Sequence, residues 1–220
     1  QSLTQVLGPW GCALVTMACA YLLGSLSFAI IVCKLTLGRD IRDYGSGNAG
    51  LTNAYRTMGG AKTLLVLLGD LAKAAAALAI GGALLGQGGK LLAGAFGILG
   101  HVYPAYFGFR GGKGVLVGAM TLLLFDWRIF LIALGLFIVA VAVTRWVSLG
   151  SILGAISFPF TMYYFYRSPL YTVVAVILSG AVIYLHRSNI KRILAGKENK
   201  FTLHGKPQIT GDDQKGENGK

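Results

Sequence analysis

The sequence predicts an all-α, polytopic integral membrane protein with seven transmembrane helices, its N-terminus outside and its C-terminus in the cytoplasm. Three observations predict this. Apolar runs long enough to cross a hydrocarbon core of about 30 Å recur along the whole chain. Only 13% of the residues are charged, about half the roughly 25% of a soluble domain, and the mean hydropathy is +0.64. The basic residues are unevenly spread. With the 34–62 loop set in the cytoplasm, sixteen of the twenty Lys and Arg lie on the inner side; Lys90, Arg128 and Arg167 lie outside, and Lys73 lies within a span.

The first span is 9–33. It holds all three cysteines, Cys12, Cys19 and Cys33, an odd number in one helix that suits neither a disulfide framework nor a metal site. They read as small apolar fillers. The segment is too long for a cleavable signal peptide and lacks a basic leading region, so it reads as a retained span. Residues 34–62 form a polar loop with a short helix at 49–58. The second span is 63–86. The third, 91–107, ends in an aromatic band of Tyr103, Tyr106 and Phe107. The fourth, 114–125, is short for a crossing, but omitting it would place the basic tail outside. The fifth, sixth and seventh are 129–144, 148–166 and 169–186. Residues 1–200 thus form one membrane domain, and 201–220 a polar tail expected to be disordered, above all over 211–220. No internal repeat of the inverted-transporter kind is evident.

The net charge of +12 fits anionic lipid beside the inner face or anionic substrates; nucleic acid is not expected as a partner. The polar clusters all fall at cytoplasmic ends of spans. Chief among them is Gly45-Ser46-Gly47-Asn48-Ala49-Gly50-Leu51-Thr52-Asn53, closed by Arg56. Glycine permits positive φ and close backbone approach, and successive N–H groups in such a loop form an anion nest. Ser46, Thr52, Asn48 and Asn53 add donors, and Arg56 a positive fork. The stretch reads as a phosphate cradle; the plainer alternative is a solvated turn. Gly111, Gly112 and Gly114 around Lys113 form a second glycine-rich anion site. It is no Walker loop, because Phe107 and Gly114 stand where Gly and Ser or Thr are needed.

Four further groups stand out. Ser25 and Ser27 suit bonding to preceding carbonyls. Asp70 and Lys73 share a helix face within a span, as a functional pair or a structural one. Ser148 suits an N-cap and is also a possible ligand donor. His186 and Asn189, three apart, close the last span. His101 beside the aromatic band reads as a bonded interface histidine, and Arg39-Asp40-Ile41-Arg42-Asp43 as a solvated charge run. The three histidines lack partners at ligand spacing, so neither metal nor cofactor is expected.

In order and location, these motifs resemble one family. Gly24-Ser-Leu-Ser-Phe28, Gly45 to Asn53, Gly69-Asp-x-x-Lys73, Gly111-Gly-Lys-Gly114, Val147-Ser-Leu-Gly-Ser151 and His186-Arg-x-Asn-Ile-x-Arg192 together look like the bacterial PlsY family, the glycerol-3-phosphate acyltransferases that use acyl phosphate. The resemblance covers about residues 18–200; Leu51, where the family more often has a small residue, and the tail after 200 depart from it. It implies transfer of a fatty acyl group from acyl phosphate to the sn-1 hydroxyl of glycerol 3-phosphate, giving lysophosphatidic acid and phosphate, the first step of phospholipid synthesis. It also implies a multi-pass protein of the bacterial inner membrane, with its site at the cytoplasmic face, membrane lipid around it and a functional link to the enzyme that makes acyl phosphate.

The expected catalytic residues are Ser46, Lys113, His186 and Asn189. Gly45, Gly47, Asn48, Gly50, Thr52, Asn53, Arg56, Gly111, Gly112, Gly114 and Ser148 are the expected substrate-binding residues. Either His186 or the substrate's own phosphate accepts the proton. Two alternatives from other classes remain at this point: a transporter or flippase for an organic phosphate, and a non-catalytic membrane scaffold.

Overall fold

The computed structural model describes residues 3–202 and 207–209. These residues contain helices and turns but no strand. The α-helices are α1 (Leu3–Gly24), α2 (Phe28–Leu37), α3 (Leu51–Met58), α4 (Gly60–Val102), α5 (Val115–Phe125), α6 (Trp127–Thr144), α7 (Val147–Tyr166), α8 (Pro169–Leu185) and α9 (Arg187–Leu194). The chain divides into two compact units, Gln1–Thr121 with the C-terminal segment from His204, and Leu122–Leu203.

In the first unit, the expected span 9–33 is not one continuous helix. Gly8 leaves helical geometry at φ 61°, and Pro9 restarts the helix, as its fixed φ favours. A second break falls at 25–27. Ser25 Oγ donates to the Tyr21 carbonyl at 2.8 Å, the back-bond expected of it, and also accepts the Ala105 N–H at 3.2 Å. α2 then resumes and ends at Gly38, which adopts the left-handed cap at φ 64°.

α4 has 43 residues. Drawn straight it would run about 65 Å, twice the thickness of a hydrocarbon core. It doubles back instead, because Leu85 and Gly86 leave helical geometry. Across that turn Gly81 and Gly89 meet so closely that a Cβ on either would strike the other's carbonyl. Its two limbs correspond to the expected 63–86 and to 91–107 as far as Val102. The same small-residue packing seats α1 on the second limb: Gly24 lies on the Gly97 carbonyl, and Gly100 on that of Tyr21. The Phe28 ring fills the space left by Gly69 on the first limb.

In the second unit, α6 is capped by Asp126, whose carboxylate accepts the Arg128 N–H at 2.9 Å and the Tyr166 hydroxyl at 3.0 Å. Gly150 lets α7 approach Phe137 of α6, and Ser179 of α8 donates to the Ala155 carbonyl of α7 at 2.7 Å. α8 bends by 58° into α9.

By length and apolarity, four stretches of the described residues suffice to cross a membrane: Thr4–Leu37, Gly60–Phe107, Trp127–Thr144 and Val147–Tyr166. α8 and α9 make a fifth if the bent pair is one span. The fourth expected span is the 11-residue α5, which reaches only about 16 Å. The tail also differs from expectation where it is described. Gln208 and Ile209 donate their N–H groups to the Arg56 and Thr57 carbonyls at 3.2 and 3.0 Å, and Ile209 is buried beside α2 and α3. Most of 201–220, including 211–220, lies outside the described residues.

Backbone meets backbone at the α4 turn, so neither side can swing away from an added methyl. Gly89→Ala should cost on the order of 1–3 kcal/mol, lowering the thermal midpoint in detergent. Gly180→Ala, whose Cβ would enter open space, should change stability by no more than about 0.5 kcal/mol. Equal midpoints for the two variants would rule out the close α4 hairpin.

Candidate active site

The segment expected to be solvated, 39–43, is built inward. Asp40 caps a short 3₁₀ turn over Ile41–Asp43 by accepting the Arg42 N–H at 3.0 Å, and Ile41 is fully buried. The Arg42 guanidinium donates to Asp40 through Nε and Nη2 at 3.0 and 2.8 Å. Its Nη1 donates to the Phe107 and Arg110 carbonyls at 2.6 and 3.0 Å. The planar fork of arginine suits such divided bonding. Arg42 therefore sews the first glycine segment to the turn before the second. The hydrogen bond from Arg42 holds the Asp40 carboxyl below the ordinary carboxylate range.

The cradle turns at Gly45 and Gly47, with φ of 59° and 69°. Asn53 was expected to hold phosphate, but its amide is spent on the loop. Oδ1 accepts the Ser46 N–H at 2.9 Å, and Nδ2 donates to the Tyr44 and Ile41 carbonyls at 3.1 and 3.3 Å. The Gly47 N–H also turns inward, to the Tyr44 carbonyl at 3.0 Å. The nest is thus narrower than the sequence implies, because the loop pairs several of its own polar groups. A Cβ at Gly45 would strike Asn53 Oδ1, so space as well as conformation requires glycine there. Gly50 is the N-cap residue of α3, whose first-turn N–H groups have no intrahelical acceptors. Thr52 and Arg56, one turn apart on α3, are half-buried; Asn48 is half-buried and Ser46 exposed.

The second glycine segment folds back on the end of α4. Gly111 donates its N–H to the Val102 carbonyl and Gly112 to that of His101, both at 3.0 Å. Gly112 is buried, and a Cβ there would strike His101 Nε2 and stand 2.8 Å from the Ala49 carbonyl oxygen. The two glycine segments therefore lie side by side. Lys113 is half-buried between Gly112 and Gly114, and Gly114 turns at φ 76°.

Beneath them sits a charged cluster. Lys73 Nζ pairs with Asp70 Oδ1 at 2.7 Å and lies 3.0 Å from His101 Nδ1. It also donates to the Leu26 and Gly24 carbonyls at 2.6 and 3.0 Å. His101 is bonded, as expected, but to a buried lysine rather than at the interface. An ammonium has no lone pair, so Nδ1 accepts and the ring proton sits on Nε2.

The second unit holds its own cluster. Glu198 Oε1 accepts from Ser148 Oγ at 2.8 Å and Asn189 Nδ2 at 2.7 Å, while Oε2 accepts from Arg192 Nε at 2.7 Å. Ser148 is not the N-cap of α7; Trp146 is, and the serine side chain turns to the carboxylate instead. Burial alone would raise the Glu198 carboxyl, but hydrogen bonds from Asn189, Arg192 and Ser148 outweigh it and hold the group below its ordinary value. His186 is buried at the α8–α9 bend, its Nδ1 2.8 Å from the Val182 carbonyl. A carbonyl only accepts, so Nδ1 carries a proton.

Sequence reasoning gave Glu198 and Arg42 no role. The only signal for either was a charged residue close in sequence to a motif.

Residues 14–196 match the family glycerol-3-phosphate acyltransferase. The chain is 39% identical over 189 residues to the glycerol-3-phosphate acyltransferase of Thermoanaerobacter sp. strain X514, covering 86% of this chain and 96% of that one. It is 43% identical over 188 residues to that of Clostridioides difficile strain 630, covering 83% and 92%. Among solved structures it is similar to PlsY (YgiH), an integral membrane glycerol 3-phosphate acyltransferase, in its glycerol 3-phosphate form. There the TM-score is 0.81 at 33% identity, covering 86% of this chain and 96% of that one. The lysophosphatidic acid form gives a TM-score of 0.78 at 32% identity, covering 87% and 96%. With its all-helical membrane fold and paired glycine segments, this chain belongs to the glycerol-3-phosphate acyltransferase family of PlsY and is an integral membrane acyltransferase.

Proposed function

We propose that this enzyme transfers a fatty acyl group from acyl phosphate to the sn-1 hydroxyl of glycerol 3-phosphate, at the cytoplasmic face of a bacterial inner membrane. The products are lysophosphatidic acid and inorganic phosphate. The packing of Gly112 against Ala49 carries this reading, because it brings two glycine-rich anion segments together. Two substrates that each bear a phosphate need two such segments. The glycerol 3-phosphate and lysophosphatidic acid forms of PlsY support the same substrate and product.

Acyl phosphate is a mixed anhydride, so its phosphate is already a good leaving group. Positioning and charge stabilisation then supply most of the acceleration. Arg56, Thr52, Ser46 and the first-turn N–H groups of α3 bind phosphate, with Gly45, Gly47, Asn48 and Gly50 shaping the loop and Asn53 pinning it from within. Gly111, Gly112 and Gly114 carry Lys113 to the acyl phosphate, where it neutralises phosphate charge and the developing oxyanion. Ser148, His186 and Asn189 orient the glycerol. The hydroxyl oxygen forms the new ester bond to the acyl carbon, and the bond from that carbon to the phosphate oxygen breaks, its electron pair leaving with phosphate. His186 Nε2 accepts the hydrogen bond of the attacking hydroxyl. The proton ends on the released phosphate. The seven-span topology with its basic inner face, and supply of acyl phosphate by a partner enzyme, belong to the same proposal.

Purified protein should form lysophosphatidic acid from acyl phosphate and glycerol 3-phosphate, and a metal chelator should leave the rate unchanged. Flux of an organic phosphate across sealed vesicles without product would favour the transporter instead. Lys113→Ala should lower kcat by about 10²- to 10³-fold in folded protein; a rate near wild type would refute its role. Arg56→Ala should weaken glycerol 3-phosphate binding by about 10- to 100-fold, the worth of one hydrogen bond to a charged group, as read by calorimetry.

Glu198 supplies a pH test. Its folded-state value lies below the ordinary 4.5, so its stabilisation is present above about 4.5 and is lost as pH falls below that. The wild-type thermal midpoint should therefore fall below pH 4.5. Glu198→Gln should have a lower midpoint at pH 7 and a flatter profile below pH 4.5; parallel profiles would refute the assignment.

A further inference from the structure

Asp70, Lys73 and His101 have no part in the roles above, yet their side chains are only 1%, 2% and 4% exposed. Charge inside a membrane bundle is costly, so its presence calls for a use. Lys73 answers two needs at once. It satisfies the Gly24 and Leu26 carbonyls that the break after α1 leaves without helical partners, and it reaches His101 Nδ1 at 3.0 Å. Asp70 Oδ1, 2.7 Å from Lys73 Nζ, holds the amine in place.

His101 passes that placement on through two contacts. Its carbonyl accepts the Gly112 N–H at 3.0 Å. Its ring nitrogen Nε2 lies against Gly112 with no room for a side chain between them. The next residue is Lys113. Ring orientation and loop position are therefore set by the same buried ammonium.

We propose that Asp70, Lys73 and His101 are positioning residues for Lys113. The ammonium fixes the imidazole, the imidazole and backbone of His101 fix Gly112, and Gly112 places the Lys113 amine for the acyl phosphate. This rests on the acyl-transfer reading, and it assigns the cluster an effect on turnover beyond stability. Misplacement of a catalytic group by about 1 Å costs about 10²-fold in rate.

The test is a double-mutant cycle. His101→Phe keeps the ring volume but removes the Lys73 acceptor; His101→Asn keeps an acceptor near the Nδ1 position. Acyl transfer is measured per folded enzyme, with folding read from gel filtration and the thermal midpoint. His101→Phe should lower kcat by about 10- to 100-fold with KM for glycerol 3-phosphate changed less than about 3-fold, and His101→Asn should restore part of the loss. In a Lys113→Ala background, His101→Phe should cost less than about 2-fold, because the group it positions is gone.

Equal fold-losses in both backgrounds, or a near wild-type kcat for folded His101→Phe, would overturn the proposal. If that variant does not fold, Lys73→Met is read in the same cycle, with the same outcomes deciding. Failure of both to fold would make the cluster structural and likewise overturn the proposal. A wild-type enzyme that transfers no acyl group from acyl phosphate would overturn the proposed function; an active wild type with additive losses would overturn only the positioning role.

Discussion

A polypeptide in lipid must find partners for its own backbone, and the charged cluster of the first unit meets that constraint. The bilayer core supplies no water to bond an interrupted helix. The chain breaks between α1 and α2, leaving the Gly24 and Leu26 carbonyls without the next turn's N–H groups. The Lys73 ammonium takes both, and Ser25 ties the break to Ala105. The break, the α4 limbs and the turn at 105–107 are thereby held together from inside. Glycine makes the arrangement possible, because Gly24, Gly97 and Gly100 let α1 and the second limb approach at backbone distance. With larger residues in those places, the break would stand away from the limb that carries His101.

The same economy runs through both polar clusters. A small number of side chains with several bonding positions organise each one. Arg42 divides its fork between Asp40 and two carbonyls of the 107–110 turn. Asn53 holds three points of the cradle with one amide. Glu198 gathers a hydroxyl, an amide and a guanidinium on its two oxygens. Arg42 and Asn53 can do this because loops are irregular and their backbone groups are not paired by a ladder. A loop bonded internally holds its shape before a ligand arrives, and preorganised groups stabilise developing charge at little reorganisation cost.

Much of the site was legible as composition and much less as partnership. The positive φ values at Gly45, Gly47 and Gly114 follow from glycine placed among small polar residues. Asp70 and Lys73 pair as a spacing of three on a helix requires. Asn53 misled, because an amide in a glycine loop serves equally well as ligand or as peg; only the inward turn of the 41–46 backbone decides. Ser148 misled for a similar reason, since the carboxylate it meets lies 50 residues away. Asp40 and Arg42 read as solvated because their alternating charges neutralise one another, whereas the acceptors for Arg42 stand 65 and 68 residues on.

By itself the sequence determined the membrane class, the all-helical fold, the family and the location of both glycine segments. Hydropathy, helix-breaking residues and glycine conformational freedom are properties of short stretches, so they can be read without knowing what meets what. Tertiary structure alone decided that the first expected span breaks at 25–27 and that Lys73 faces His101 across 28 residues. It also decided that Gly112 rests on Ala49. Those outcomes depend on which distant carbonyls and rings arrive at the same place, and packing settles that through close backbone approach rather than through any local preference.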